Sequence, residues 1–276
     1  HIFFSCPKNH FSLYDILPPT IPRPINLKSV LSFVNTPFVK TLRSTFYKIT
    51  SDFFVKNILV KMSAIKLYHF PLSAPSRGAL LAAKLINVPL ETVIVDLFKK
   101  EQLSESFLRI NPQHCVPTLD DDGFILWESR AIACYLAERY GDDKYYPKDI
   151  RKRALVNQRL YFDSSFLYPR IRAICHPILF SGITEIKESL KIDLNSTLGF
   201  LDQFLANSKW VAGDELSIAD TAILASMTSI LEVGWDISIF PNIQRWLNDC
   251  TSIPGYEENM EGARLFGAAV RKNIKT

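Results

Sequence analysis

No apolar run in this chain reaches the roughly 18 to 20 residues that a membrane-spanning helix needs. Cysteine is also sparse: the five residues Cys6, Cys115, Cys134, Cys175 and Cys250 form an odd, scattered set. It contains no Cys-x-x-Cys pair, and there is no histidine cluster at metal-ligand spacing. Neither a disulfide framework nor a zinc site is indicated. Scattered free thiols suit a reducing compartment, where most serve as small core hydrophobes, so a cytoplasmic protein with no bound metal and no membrane partner is expected.

A basic binding face is lacking as well, despite a formal net charge of +4. Residues 1–61 hold eight Lys or Arg against only Asp15 and Asp52, which leaves 24 basic and 26 acidic side chains over residues 62–276. The part that carries a regular pattern is therefore slightly acidic, and a nucleic-acid partner is not expected.

Residues 1–61 differ from the rest. They contain no glycine, include the proline-rich stretch Leu17 to Pro24, and show neither a helical nor a strand period. Three readings compete: a translated upstream segment, a mitochondrial-type leader and a genuine tail. The first is favoured, because a transit peptide should be rich in arginine and this segment has only Arg23 and Arg43, while no secretory pattern is visible. The expectation is an extension of unknown role, disordered or foreign to the native fold, with fold reasoning starting at Met62.

From Met62 onward the pattern becomes regular. Ile65 to His69 alternates like a strand, Pro75 opens a helix that runs to Asn87, and Glu91 to Asp96 forms a second strand. A helix-prone segment from Gln102 to Arg109 precedes two short strands, Thr118 to Asp120 and Phe124 to Leu126, around an Asp122-Gly123 hairpin turn. Ser129 is expected to cap a helix that stops at Gly141. The predicted order βαβαββα makes residues 62–142 a small α/β domain. Beyond the linker from Asp142 to Asp149, amphipathic stretches alone remain, so residues 150–276 are predicted to form an all-helical domain. Within it Ser217-Ile218-Ala219-Asp220 is a capping box, structural in role.

Three local features of the α/β domain carry chemistry. Ser73-Ala74-Pro75-Ser76-Arg77 places a hydroxyl at a strand-to-helix turn, where free backbone N–H groups and the helix dipole favour an anion such as a thiolate. A plain N-cap is the competing reading. Asn111-Pro112-Gln113-His114-Cys115-Val116-Pro117-Thr118 sets Pro117 at a strand entrance, where either a cis Val116–Pro117 bond or an edge-strand proline satisfies the backbone. Glu128-Ser129-Arg130 puts a carboxylate beside a helix start that can hold a ligand carboxylate, or that simply caps itself. Thioredoxin-type disulfide exchange is not expected, because Ser73 and Ser76 stand where two cysteines would be needed.

These motifs, in this order with Gly213-Asp214 and the capping box behind them, resemble the cytosolic glutathione transferases over residues 62–270. The likeness is to the insect delta and epsilon classes, and the stretch from Phe162 to Phe180 looks more epsilon than delta. The resemblance implies an N-terminal thioredoxin-like domain that holds glutathione as co-substrate, a helical-bundle C-terminal domain that supplies a pocket for small hydrophobic electrophiles, and a homodimer. It implies Ser73 as the thiolate stabiliser, with Gln102, His114, Val116, Pro117, Glu128, Ser129 and Arg130 on glutathione. Gln102 departs from the family pattern, which has a second histidine there. The electrophile pocket is expected at Leu72, Tyr168, Arg172, Cys175, His176, Leu179 and Phe180, with Pro169 and Pro177 bending or ending their helix. A non-catalytic carrier of hydrophobic ligands is the alternative function.

Overall fold

A computed structural model describes residues 65–274, so the expectations for residues 1–61 lie outside the described residues. The chain starts as strand β1 (Lys66–His69), helix α1 (Ala74–Ile86) and strand β2 (Glu91–Ile94). A single 3-10 turn (Glu101–Leu103) leads to the short helix α2 (Glu105–Ile110). Strands β3 (Thr118–Asp121) and β4 (Phe124–Trp127) and helix α3 (Ser129–Tyr140) complete the α/β domain. The strand order is β2-β1-β3-β4. β1 and β2 run parallel, with Leu67 opposite Thr92, whereas β3 is antiparallel to both β1 and β4. The hairpin turn is made by Asp122 and Gly123, both at positive φ, as an Asp-Gly turn requires.

The helical domain consists of α4 (Ile150–Phe162), a π-helical turn (Asp163–Leu167), α5 (Tyr168–Phe180), α6 (Glu188–Leu205), α7 (Ile218–Val233), α8 (Pro241–Cys250) and α9 (Tyr256–Arg271). The sequence periodicity predicts one amphipathic stretch from 150 to 180; a π turn divides it, and Pro169, expected to bend or end the helix, stands in the first turn of α5, where its missing N–H costs no hydrogen bond. Pro177 stays inside α5, which continues to Phe180.

Helix α1 is apolar nearly all round because it is covered on two sides. Ala79, Leu80 and Ala83 pack on the sheet with Leu67, Leu119, Ile132 and Leu136. Leu81, Ala82 and Leu85 join the core of the helical domain instead. Helix α7 is likewise buried from Ile218 through Ile230. Its capping box forms as the sequence predicts: Ser217 Oγ accepts from Ala219 N, and Asp220 Oδ2 accepts from Ser217 N at 2.9 Å. Helix α9 lies close over the turn after β1. A Cβ added at Gly262 would collide with the Pro71 carbonyl oxygen, so only glycine permits that approach.

Candidate active site

The β1–α1 turn is built around Ser73. Its extended backbone (φ −78°, ψ 113°) makes it the N-cap of α1, and its Oγ accepts from the backbone N–H of Ser76 at 3.4 Å. A hydroxyl that accepts in this way still has its own proton to donate. Ser73 is half-buried and faces a cavity of about 520 Å³. Leu72, Gln102, His114 and Val116 line the same cavity from the α/β domain, and Tyr168, Arg172, Cys175, His176, Leu179 and Phe180 from α5. Two segments far apart in sequence thus meet at one cleft, and no Asp or Glu lines it, whereas Lys100 and Arg172 do.

The loop before β3 is held by a residue that sequence reasoning passed over. Asn111 is fully buried, and its Nδ2 donates to the Cys115 carbonyl oxygen (3.2 Å) and to Thr118 Oγ1 (2.8 Å). Its Oδ1 accepts from Gln113 N, and Thr118 Oγ1 donates to the Cys115 carbonyl at 2.8 Å. The Asn-Pro pair at a helix end was the available signal. The Val116–Pro117 peptide bond is cis, which decides between the two readings that the sequence leaves open. His114 is exposed, at positive φ. Gln102 is half-buried, and its Oε1 has no hydrogen-bond partner among the described residues.

The start of α3 differs from the expected serine cap. Glu128 is the N-cap, exposed and at φ 71°, a conformation uncommon outside glycine and frequent at functional sites. Ser129 is the first helical residue, and its Oγ accepts from Arg130 Nη1 instead of capping a backbone N–H. Neither Glu128, Ser129 nor Arg130 lines the large cavity, and Pro117 is buried beside it. The Arg130 guanidinium is bound to Asp163, a fully buried carboxylate in the π turn that also accepts from Ser226 of α7 at 2.7 Å. Asp163 is the second residue that the sequence did not single out, since nothing in a linear pattern reports a partner 33 positions away.

On α5, Cys175 is buried and burial pushes its thiol up to about 12, so it is an apolar wall and no nucleophile. Burial and the nearby Arg172 lower the pKa of His176, which is neutral at physiological pH. Phe180 is half exposed and sits 4.8 Å from the His176 ring and 5.7 Å from Phe98, a residue of the loop after β2. Phe98 in turn meets Phe70 edge-on at 5.6 Å. These rings form an aromatic rim across the cleft, of which the sequence pattern indicates only Phe180. No helix among the described residues is long and apolar enough to cross a membrane.

A mixed four-stranded sheet in the order β2-β1-β3-β4, a cis proline leading into β3 and a ligand-ready turn at the first helix define a thioredoxin-like domain, here followed by a helical domain. Residues 67–144 match the family description "Glutathione S-transferase, N-terminal domain" and residues 172–254 match "Glutathione S-transferase, C-terminal domain". Among solved structures, "Glutathione S-transferase unclassified 2" from Bombyx mori is 71% identical with a TM-score of 0.76, covering 78% of this chain and 100% of its own. A delta-class glutathione transferase from Nilaparvata lugens is 47% identical (TM-score 0.74; 76% of this chain, 100% of its own). An epsilon-class enzyme from the housefly Musca domestica is 42% identical (TM-score 0.74; 77% and 100%). The chain belongs to the glutathione S-transferase family.

Proposed function

We propose that the protein activates the thiol of glutathione at Ser73 and directs the thiolate at a small hydrophobic electrophile held against α5. The observation that carries this reading is the cavity itself: a helix N-terminus with a free hydroxyl proton at one end, an apolar and aromatic wall at the other, and cations but no carboxylate among its lining. Ser73 Oγ, already an acceptor for Ser76 N, donates its proton to the sulfur. A thiol with an ordinary pKa of about 8.5 is thereby brought toward the neutral range, helped by the positive end of the α1 dipole. Val116 pairs with the extended backbone of glutathione, His114 and Gln102 hold its glycyl end, and Glu128 and Ser129 take its γ-glutamyl end. The orphan Gln102 Oε1 offers an acceptor for a peptide N–H. Arg130 acts one step back, by fixing Ser129 and the π turn together.

The nucleophile belongs to the co-substrate, and the protein supplies position and electrostatics. Sulfur attacks the electrophilic carbon, or removes a proton so that a leaving group departs, and the bond to the leaving group breaks with its electron pair. Assembly as a homodimer and a cytoplasmic location are part of the same proposal. So is the division into a glutathione-binding domain at 62–142 and an electrophile-binding domain at 150–276. The test is Ser73→Ala. One donor lost to a buried anion is worth about 2.7 to 4 kcal/mol, so turnover with an aryl halide should fall by roughly 100-fold or more, while glutathione affinity changes less. The thiolate absorbance of the bound co-substrate should also shift to higher pH. A non-catalytic carrier would show neither turnover nor that absorbance.

A further inference from the structure

Arg77 is an unusual resident of the interface between the two domains. Its side chain is 2% exposed, and its Nε, Nη1 and Nη2 all donate to neutral oxygens. Nε donates to Asn259 Oδ1 at 3.0 Å, Nη1 to the Pro71 carbonyl at 2.9 Å, and Nη2 to the Ala225 carbonyl at 3.1 Å and to Ser229 Oγ. No carboxylate of the described residues pairs with it. A buried guanidinium usually comes with an anion, because its desolvation is otherwise costly. The titratable groups that face it are His69 on β1 and Tyr168 on α5, and Lys84 of α1 with Glu258 and Glu261 of α9 line one cavity with it without pairing to it. His69 is neutral, burial holding its pKa at about 4, and Glu258 is bound to Lys84. Burial lowers the pKa of Arg77 to about 9, which leaves it charged at neutral pH.

The position of this charge indicates what it is for. Arg77 lies one turn of α1 beyond Ser73, with its N–H on the Ser73 carbonyl at 3.0 Å. Its guanidinium grips Pro71, two residues before Ser73, from one side. On the other side it grips Ser229, whose side of α7 lines the same cavity as Ser73. We propose that Arg77 is a positioning residue for the reaction: it fixes the Ser73 turn against α7, and its buried charge, which lies behind that turn on the wall of a separate cavity, raises the positive potential that the co-substrate thiolate meets at Ser73. A carboxylate bonded to Arg77 would cancel the field that an incoming anion meets. This inference rests on the proposed role of Ser73.

Asn259→Asp tests it with the side-chain shape nearly kept. The new carboxylate would sit on Arg77 Nε, where Asn259 Oδ1 now accepts, and neutralise the charge in place. Thr228 Oγ1, which now accepts from Asn259 Nδ2 at 3.1 Å and donates to the Leu224 carbonyl at 2.9 Å, would turn its proton from that carbonyl to the carboxylate. The readout is the ultraviolet thiolate absorbance of glutathione on the full-length protein, titrated against pH. The bound thiol pKa should rise by about one unit in Asn259→Asp, a roughly tenfold smaller thiolate fraction below it, while the melting temperature stays within a few degrees. Arg77→Lys, which keeps a charge but loses the fork, should lower the melting temperature yet hold the thiol pKa closer to wild type than Arg77→Met does. A thiol pKa unchanged in Asn259→Asp overturns the inference, as does a pKa in the Arg77 variants that simply tracks lost stability. If the wild-type protein shows no thiolate band at all, the role of Ser73 fails first and the two outcomes remain distinct.

Discussion

At the scale of single residues, the burial of each side chain separates wall from core. Phe180 is 50% exposed and its ring meets the rim partners His176 and Phe98, so truncating it leaves no internal cavity. Phe180→Ala should therefore keep the melting temperature and raise KM for a bulky apolar electrophile severalfold, a loss of roughly 1 kcal/mol of contact, with KM for glutathione unchanged. Arg172→Ala should act on kcat instead. A core residue would behave in the opposite way, losing stability with both Michaelis constants intact. Residue types with local meaning were readable in the sequence: a serine before Ala-Pro marks a helix start, and a proline at a strand entrance narrows the backbone to two arrangements, of which the structure shows the cis bond. Asp163 and Phe98 were not readable, because each acquires its meaning from a partner that the fold brings from elsewhere: Arg130 and Ser226 for Asp163, Phe180 for Phe98. Asn111 was passed over although its partners, Gln113, Cys115 and Thr118, are local.

At the scale of elements, hydrophobic period and caps defined most of the helices and strands, and they missed where two helices share one long stretch. The π turn at Asp163–Leu167 carries no propensity signal; its first residue, Asp163, is bonded to Arg130 and Ser226. Ser129 shows the converse. A good capping residue is displaced by one position because the chain enters α3 through the left-handed Glu128. The capping box of α7 is legible and also does more than the sequence indicates. Besides the two bonds to Ser217, Asp220 accepts from Val211 N and from Trp246 Nε1, both at 3.0 Å, and is fully buried. It ties α7 to α8 and to the segment before it. Asp220→Ala strands four donors in the core and should cost about 3 to 5 kcal/mol, or on the order of 10 °C in melting temperature for a protein of this size. The fraction that folds should keep its KM for glutathione. Equal stability of variant and wild type in thermal unfolding would reduce the box to a local cap.

At the scale of the whole molecule, the two domains of the described region share one core and several polar ties. Leu81, Ala82 and Leu85 of α1, with Ala133 and Ala137 of α3, belong to the same buried cluster as Leu224 and Ile230 of α7. Arg77 and the Arg130–Asp163 pair cross between them. Interfaces of this kind couple domains into a single unfolding transition. Residues 65–274 thus hold both family domains and every side chain of the proposed site, and the Bombyx mori, Nilaparvata lugens and Musca domestica structures are each covered in full by 76 to 78% of this chain. Residues 1–61 carry a surplus of basic groups and a proline-rich stretch. Their removal should leave the melting temperature, kcat and both Michaelis constants as they are in the full chain, with one cooperative transition before and after. The segment also carries Phe53, Phe54 and Val55, apolar residues that would pack if they had a surface to cover. A melting temperature several degrees lower after deletion, with kcat unchanged, would assign those residues a docking role; a changed KM for the electrophile would place them at the cleft.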